Sequence, residues 1–153
     1  MMDLDRTDRM ILGILQREGR ITNLELAERI GLSPTAASER TRRLQKDGYV
    51  TGYGARLDSA RLGFGLLVFV EVLLDKTTPD IFDHFAAAVR RAPEVLECHM
   101  VAGGFDYLLK ARMKDMAAYR HFLGHALLAL PGVKETRTYA VMEEVKTEGP
   151  LPL

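Results

Sequence analysis

Thr35, Ser38, Glu39, Arg42, Arg43 and Lys46 fall at helical spacing within one short segment, SPTAASERTRRLQK. Hydroxyls and guanidiniums spaced in this way are the groups that read base edges and grip phosphates in a DNA major groove. Arg42 can take a guanine edge with two donors, Thr35 and Ser38 near the helix start reach either bases or phosphates, and Arg43 and Lys46 are placed to hold phosphates. Ser33, directly before Pro34, offers a cap, and a helix N-terminus itself attracts phosphate. A solvated charged face is the commoner reason for such a pattern, so the neighbouring elements have to decide.

Other reactive groups are sparse. His121 and His125 stand at i, i+4 with no acid or thiol beside them, too few donors for a structural zinc, so no metal site is expected. Cys98 and His99 alternate across a strand, as do Glu143 and Glu144, so neither pair is set up for nucleophilic or acid–base work. The chain contains no P-loop, dinucleotide fingerprint or nucleophile elbow, and no catalytic residue or enzyme activity is expected.

The elements around residues 33–46 favour the nucleic-acid reading. Asp5 can cap a helix with Ile11, Leu12, Ile14 and Leu15 on one stripe, ending at Gly19. Thr22 and Glu25 fit a capping box, with Leu24, Ala27 and Ile30 as the inward face before Gly31. The next helix starts at Ser33-Pro34 and stops at Gly48, with Ala37, Thr41 and Leu44 inward. Two short helices joined by so few residues form a helix-turn-helix. Tyr49–Tyr53 and Ala55–Leu57 suggest a small two-stranded wing that carries Arg56.

From Phe64 the pattern changes. Strand-like runs at 64–74, 95–102, 105–111 and 133–145 are interleaved with amphipathic helices at 79–91 and from Asp115 to Leu130. Gly103-Gly104 provides a close turn between the second and third strands. The order βαββαβ describes a ferredoxin-like layer, so the fold class is α+β. The expected organisation is a winged helix-turn-helix domain at 1–57, a linker at 58–63, a ferredoxin-like domain at 64–146 and a tail at 147–153. One helical layer covers one sheet face, and either a second copy of the chain or a tightly packed N-terminal domain must cover the other.

The 153 residues are 47% apolar and 27% charged, which fits a folded protein. The longest uncharged apolar run, 62–70, is short of the roughly 20 residues of a membrane helix, and the acidic N-terminus is unlike a secretory signal, so a cytoplasmic protein is expected. The single cysteine fits a reducing compartment. Acidic and basic residues balance at 21 each, yet residues 1–56 carry a net +2 and residues 57–153 a net −2, a weak asymmetry in the direction of DNA binding.

The chain also resembles the Lrp/AsnC family of transcription regulators, and the leucine-responsive branch most closely. The resemblance rests on Leu4-Asp5 with Asp8, Ile11-Leu12, GLSPT from Gly31, Arg42-Arg43-Leu44, Gly48, Gly52-Tyr53, ECH at 97–99, GxxDYLLK at 103–110, and LPGV followed by TRTYxVMEEVK ending at Lys146. It implies a regulator that binds a double-stranded DNA operator and responds to an amino-acid effector such as leucine, controlling amino-acid metabolism genes from the nucleoid. It further implies homodimers assembling to a higher oligomer, an octamer or related ring, with the effector between dimers and no other cofactor. The effector residues it implies are Gly103, Gly104, Phe105 and Asp106, with Met116, Leu128, Thr138, Tyr139 and Val141 as neighbours. Asp106 would then meet the ammonium group, and the glycine amides the carboxylate. Gly104 stands where close relatives commonly carry aspartate, and Ala36-Ala37-Ser38 and Thr41 are small and polar where relatives often carry larger residues, so effector and operator preferences differ accordingly. Gly103-Gly104 as a plain hairpin turn with Asp106 as a local cap is the alternative for that loop. For the whole chain, the alternative is an oligomeric amino-acid-binding or DNA-architectural protein without an effector-controlled regulon.

Overall fold

In a computed structural model, which describes residues 4–75, 78–147 and 149–153, the chain divides into two units. The first runs to Arg56 and includes Val145–Leu153; the second is Leu57–Glu144. Residues 1–3 of the expected first domain and Glu148 of the expected tail lie outside the described residues.

The first unit begins with α1 (Arg6–Leu15), whose N-cap Asp5 accepts the Asp8 amide at 2.8 Å. The helix ends four residues before Gly19, through amides returning to Ile14 and Leu12. In α2 (Asn23–Ile30) the capping box forms as the spacing requires: Thr22 Oγ1 accepts the Glu25 amide at 3.2 Å and Glu25 Oε2 accepts the Thr22 amide at 3.1 Å. Its inward face is shifted from the expected one. Leu26 and Ala27 are buried, Ile30 is half-buried and Leu24, the second residue of the helix, is 59% exposed. Gly31 then turns the chain with φ +67°, a left-handed conformation that suits glycine.

α3 (Pro34–Lys46) follows after a three-residue turn, capped by Ser33, whose hydroxyl accepts the Ala36 amide at 3.2 Å. Ala37, Thr41 and Leu44 are its buried positions, and Thr41 satisfies its hydroxyl on the Ala37 carbonyl at 2.9 Å. Leu44 joins Ile11, Leu12, Leu15 and Leu26 in one small core. The expected wing is not a hydrogen-bonded hairpin: residues 50–57 carry no strand ladder. Gly52 and Gly54 weaken any strand there, and the segment is anchored by other means. Amides of Tyr49 and Val50 bond the Leu44 carbonyl, and Gln45 donates to the Tyr53 hydroxyl at 3.1 Å.

The second unit contains β1 (Leu66–Leu74), α4 (Pro79–Val89), β2 (Val95–Met100), β3 (Tyr107–Met113), α5 (Met116–Phe122), a π-helical turn (Leu123–Leu127) and β4 (Val133–Ala140). The sheet order is β2-β3-β1-β4, with every neighbouring pair antiparallel. Val68, Val70, Val72 and Leu74 alternate toward Phe85, Val89, Phe122 and Leu127 from the helical layer. Phe69, Glu71 and Leu73 take the other face.

Several strand ends differ from the sequence reading: β1 starts at Leu66 rather than 64, β2 ends at Met100 rather than 102, and β3 ends at Met113 rather than 111. β3 starts at Tyr107 rather than 105, and the connection from β2 is a loop over 101–106 instead of a two-residue turn. Asp106 sets that limit: its carbonyl accepts the Val101 amide, its amide bonds Val72, and its carboxylate accepts the Leu74 amide at 2.8 Å. β4 ends at Ala140 rather than 145, although the Val141 amide still bonds the Leu67 carbonyl at 2.9 Å.

Candidate functional site

The open side of α3 is an open depression of ≈ 520 Å³ lined by Asn23, Pro34, Thr35, Ser38, Glu39 and Arg42. Burying Ala37, Thr41 and Leu44 at i, i+4 and i+7 forces this outcome, since Thr35, Ser38 and Arg42 then lie about half a turn away. Asn23, the first residue of α2, belongs to this surface and was not foreseen. Only the approach of the two helix starts brings it there. Ser33 is exposed but spends its hydroxyl on the cap, so it serves the surface by starting the helix.

The three arginines of α3 have different fates. Arg40 pairs with Asp5 at 2.7 Å and with Asp8 at 2.9 Å, and Arg43 pairs with Asp8 at 2.6 Å. The Asp8 side chain is only 3% exposed. Its burial between two guanidiniums fixes α3 against α1 and turns Arg43 back toward the protein, a correction to its expected position as an outward phosphate holder. The sequence hid this because the partners are more than thirty residues apart. Asp5 is held below the ordinary carboxylate range, first by the Asp8 amide and then by Arg40, and Arg40 is held above its usual value by the hydrogen bonds it donates to Asp5 and Asp8. By contrast, Arg42 and Lys46 are exposed and have no ion-pair partner among the described residues. Arg56 is exposed on the segment following Tyr53.

In the second unit, a cavity of ≈ 150 Å³ is lined by Glu71, Leu73, Gly104, Phe105, Glu135, Thr136 and Arg137. β1 supplies the first two, the 101–106 loop the next two and β4 the rest. Arg137 lies 4.0 Å from both Glu71 and Glu135, at the limit of an ion pair. The Tyr139 phenol first, and then these two carboxylates, push the Arg137 guanidinium further toward its charged form. Both signs of charge beside two apolar side chains suit a zwitterion with an apolar group.

The expected effector set is therefore only partly brought together. Gly104 and Phe105 line the cavity, and Tyr139 adjoins it by donating to Glu71 at 3.0 Å. Gly103 is exposed in the same loop. Asp106 is not open to an ammonium group with both oxygens, because Oδ2 already accepts the Leu74 amide. Thr138 faces the helical layer, where its hydroxyl meets that of Tyr119. Met116 and Leu128 are exposed on the α5 side, and Val141 lies beyond the end of β4. The other lining residues, Glu71, Leu73, Glu135, Thr136 and Arg137, were not foreseen, because strand alternation assigns a face but not which strands are neighbours.

The remaining reactive groups stay dispersed. Cys98 packs partly into the core, which pushes its thiol up, while His99 is exposed beside Glu97 at 3.3 Å. His121 and His125 stack with ring centroids 4.2 Å apart, and Glu144 pairs with Arg112 at 2.5 Å. Among the described residues, no group of three or more His, Cys, Asp or Glu could hold a metal ion, and no helix is long and apolar enough to cross a membrane.

A capped helix pair presenting an unpaired arginine, joined to a ferredoxin-like unit with a charged cavity, defines a helix-turn-helix DNA-binding protein with a ligand-binding unit. Residues 4–51 match the winged helix-turn-helix DNA-binding model and residues 67–151 the Lrp/AsnC ligand binding domain. The chain is 58% identical over 144 residues to the leucine-responsive regulatory protein of Salmonella typhimurium, covering 94% of this chain and 88% of that protein. Its identity to the protein of the same name from Escherichia coli K12 is 57% over the same lengths. A crystal structure of a transcriptional regulator–L-Met complex from Neisseria meningitidis superposes with TM-score 0.93 at 41% identity, covering 98% of this chain and 97% of that one. An AsnC family transcriptional regulator from Agrobacterium tumefaciens gives TM-score 0.91 at 30% identity, covering 97% and 96%. The chain belongs to the Lrp/AsnC family and is an effector-responsive DNA-binding transcription regulator.

Proposed function

We propose that α3 reads an operator, with Arg42 as the base-reading residue and Thr35, Ser38 and Asn23 beside it. Lys46 and Arg56 would hold phosphates, and Ser33 and Glu39 border the contact. The observation that carries this reading is the division of the arginines: Arg40 and Arg43 turn back to Asp8, while Arg42 stands unpaired in the depression. Sequence discrimination then comes chiefly from Arg42, and affinity from backbone contacts.

The effector is an amino acid with an apolar side chain. Glu71 and Glu135 would meet its ammonium, Arg137 its carboxylate, and Leu73 and Phe105 its side chain, with Gly104 leaving the loop open. The long Arg137 pairs can be exchanged for ligand charges without leaving a group unpaired. Relatives named leucine-responsive and a neighbour solved with L-Met favour leucine or methionine. The active species is a homodimer that assembles further, with an octamer as the expected size. The sheet face bearing Phe69, Glu71 and Leu73 is the surface offered to the second copy. The protein works in the cytoplasm at the nucleoid, and its activity is regulation rather than catalysis.

Selection of genomic DNA fragments by the purified protein, with and without a panel of amino acids, tests both halves. The expected result is enrichment of a common motif, with occupancy that changes with leucine or methionine. Enrichment without a motif would remove the operator reading, and identical occupancy with every amino acid would remove the effector reading.

A further inference from the structure

The segment Gly149-Pro150-Leu151-Pro152-Leu153 is clasped by a single side chain of the first unit. Gln16 Nε2 donates to the Leu151 carbonyl at 2.9 Å, and Gln16 Oε1 accepts the Leu151 amide at 2.8 Å. A primary amide that satisfies both polar groups of one backbone residue imitates an added strand. The sequence of the segment prepares that residue. Pro150 and Pro152 have no N–H, so Leu151 holds the one donor between them, and a residue before proline is pushed to an extended backbone. An extended proline–leucine segment is also the kind of peptide that docks against aromatic-lined grooves. Here the segment meets such a surface at a cavity of ≈ 300 Å³, which Leu151 and Leu153 line together with Leu12, Leu15, Tyr49, Val50 and Tyr53. Leu151 is 69% and Leu153 51% exposed, so the contact depends on the Gln16 clasp and is readily reversible.

The position of the segment in the chain gives the contact a consequence. The chain leaves the first unit after Arg56 and returns to it after Glu144, so the helix-turn-helix unit has two covalent links to the second. The second link continues directly from β4, the strand that places Glu135 and Arg137 in the charged cavity.

We propose that the face formed by α1 and residues 49–53 is a docking groove for the chain's own Gly-Pro-Leu-Pro-Leu segment, read by Gln16, and that its occupancy couples β4 to operator binding. The coupling half rests on the effector reading above; the docking half does not. Gln16→Ala in the full chain tests both, with hydrogen–deuterium exchange of the C-terminal fragment followed by mass spectrometry. The Leu151 amide should exchange about five- to tenfold more slowly in the wild type than in the variant, as expected for two neutral hydrogen bonds. Equal rates would overturn the docking. In mixtures of labelled variant with unlabelled wild type, labelled tails should stay unprotected; recovered protection would mean that the tail occupies another copy and would overturn the own-chain assignment. Operator titrations with L-leucine and L-methionine test the coupling. Gln16→Ala should shrink the effector-induced change in operator affinity at least threefold while leaving effector affinity itself unchanged. An undiminished change would overturn the coupling, and a wild type that responds to neither amino acid would overturn it together with the effector reading, with the exchange result still deciding the docking.

Discussion

In the first unit most of the proposed DNA-reading side chains, Arg42 with Thr35 and Ser38, lie within one helix and only Asn23 comes from another, whereas in the second the cavity residues come from β1, the 101–106 loop and β4, far apart in the chain. The helix period alone, once Ala37, Thr41 and Leu44 are inward, places Thr35, Ser38 and Arg42 outward. No comparable rule brings Glu71 to Arg137; the β1–β4 register, which pairs the two directly, does so. A site on one element inherits its geometry from local structure, and a site on several inherits it from packing. The first should therefore survive changes elsewhere in the unit better than the second.

The sharpest challenge to that contrast is Asp8, a long-range feature inside the locally specified site. Asp8→Ala leaves Arg40 and Arg43 without their buried partner, and because both arginines are about a third exposed, a loss of about 2–3 kcal/mol in unfolding free energy is expected. Thermal or urea denaturation measures it; a change within error would mean that the α1–α3 clamp is incidental. Next in size, Arg42→Ala should weaken specific operator binding by roughly 1–3 kcal/mol, about five- to 150-fold, with a smaller effect on nonspecific DNA. Equal losses on both DNAs would recast Arg42 as a phosphate contact and leave the local rule without its main consequence.

For the second unit, Gly132→Ala tests how tightly the turn into β4 is determined. Gly132 has φ +74° and an added Cβ would stand 2.5 Å from Ile81 Cγ1, so a loss of about 1–3 kcal/mol is expected in the same denaturation experiments. A neutral result would show that α4 yields easily. Glu71→Gln should weaken effector binding about tenfold by calorimetry while operator affinity without effector stays the same, as for loss of a charge-assisted contact. Unchanged effector affinity would move the ligand out of this cavity.

The smallest effect is that of pH. Glu97, on the sheet face with Lys110 at 2.7 Å, is held below the ordinary carboxylate range, first by that lysine's hydrogen bond and then by His99. A depressed folded-state pKa contributes stability above the unfolded value, which is lost as pH falls through the folded one. Glu97→Gln should therefore flatten the decline in melting temperature below about pH 4.5 and change little at neutral pH. An identical acid limb in both proteins would show that the pair contributes nothing.

Much of the fold was legible because its signals were local. The caps at Asp5, Thr22 and Ser33, the Thr22–Glu25 box and the buried stripe of α3 form as the sequence indicates. The βαββαβ order and both helices of the second unit were legible from periodicity. What failed was decided at a distance. Leu24 looked inward by spacing, but Leu26 fills the space between α1 and α3. The wing looked like a hairpin because Tyr49–Tyr53 is strand-like, yet no strand ladder forms at 50–57, and Tyr49, Val50 and Tyr53 meet Leu44, Gln45 and Gly19. Asp106 was open to two readings, ligand group or local cap, and the bond from the Leu74 amide to its Oδ2 is a contact that spacing does not reveal.

The sequence by itself determined where helices start and which face of α3 is inward, because capping and amphipathic periodicity act over a few residues. Tertiary structure alone decided that Arg43 turns to Asp8 while Arg42 stays free, that Glu71 and Arg137 share a cavity, and that Gln16 meets Leu151. Each of these is an encounter between groups distant in the chain, and the packing of cores and the register of strands, not spacing, determine which such groups meet.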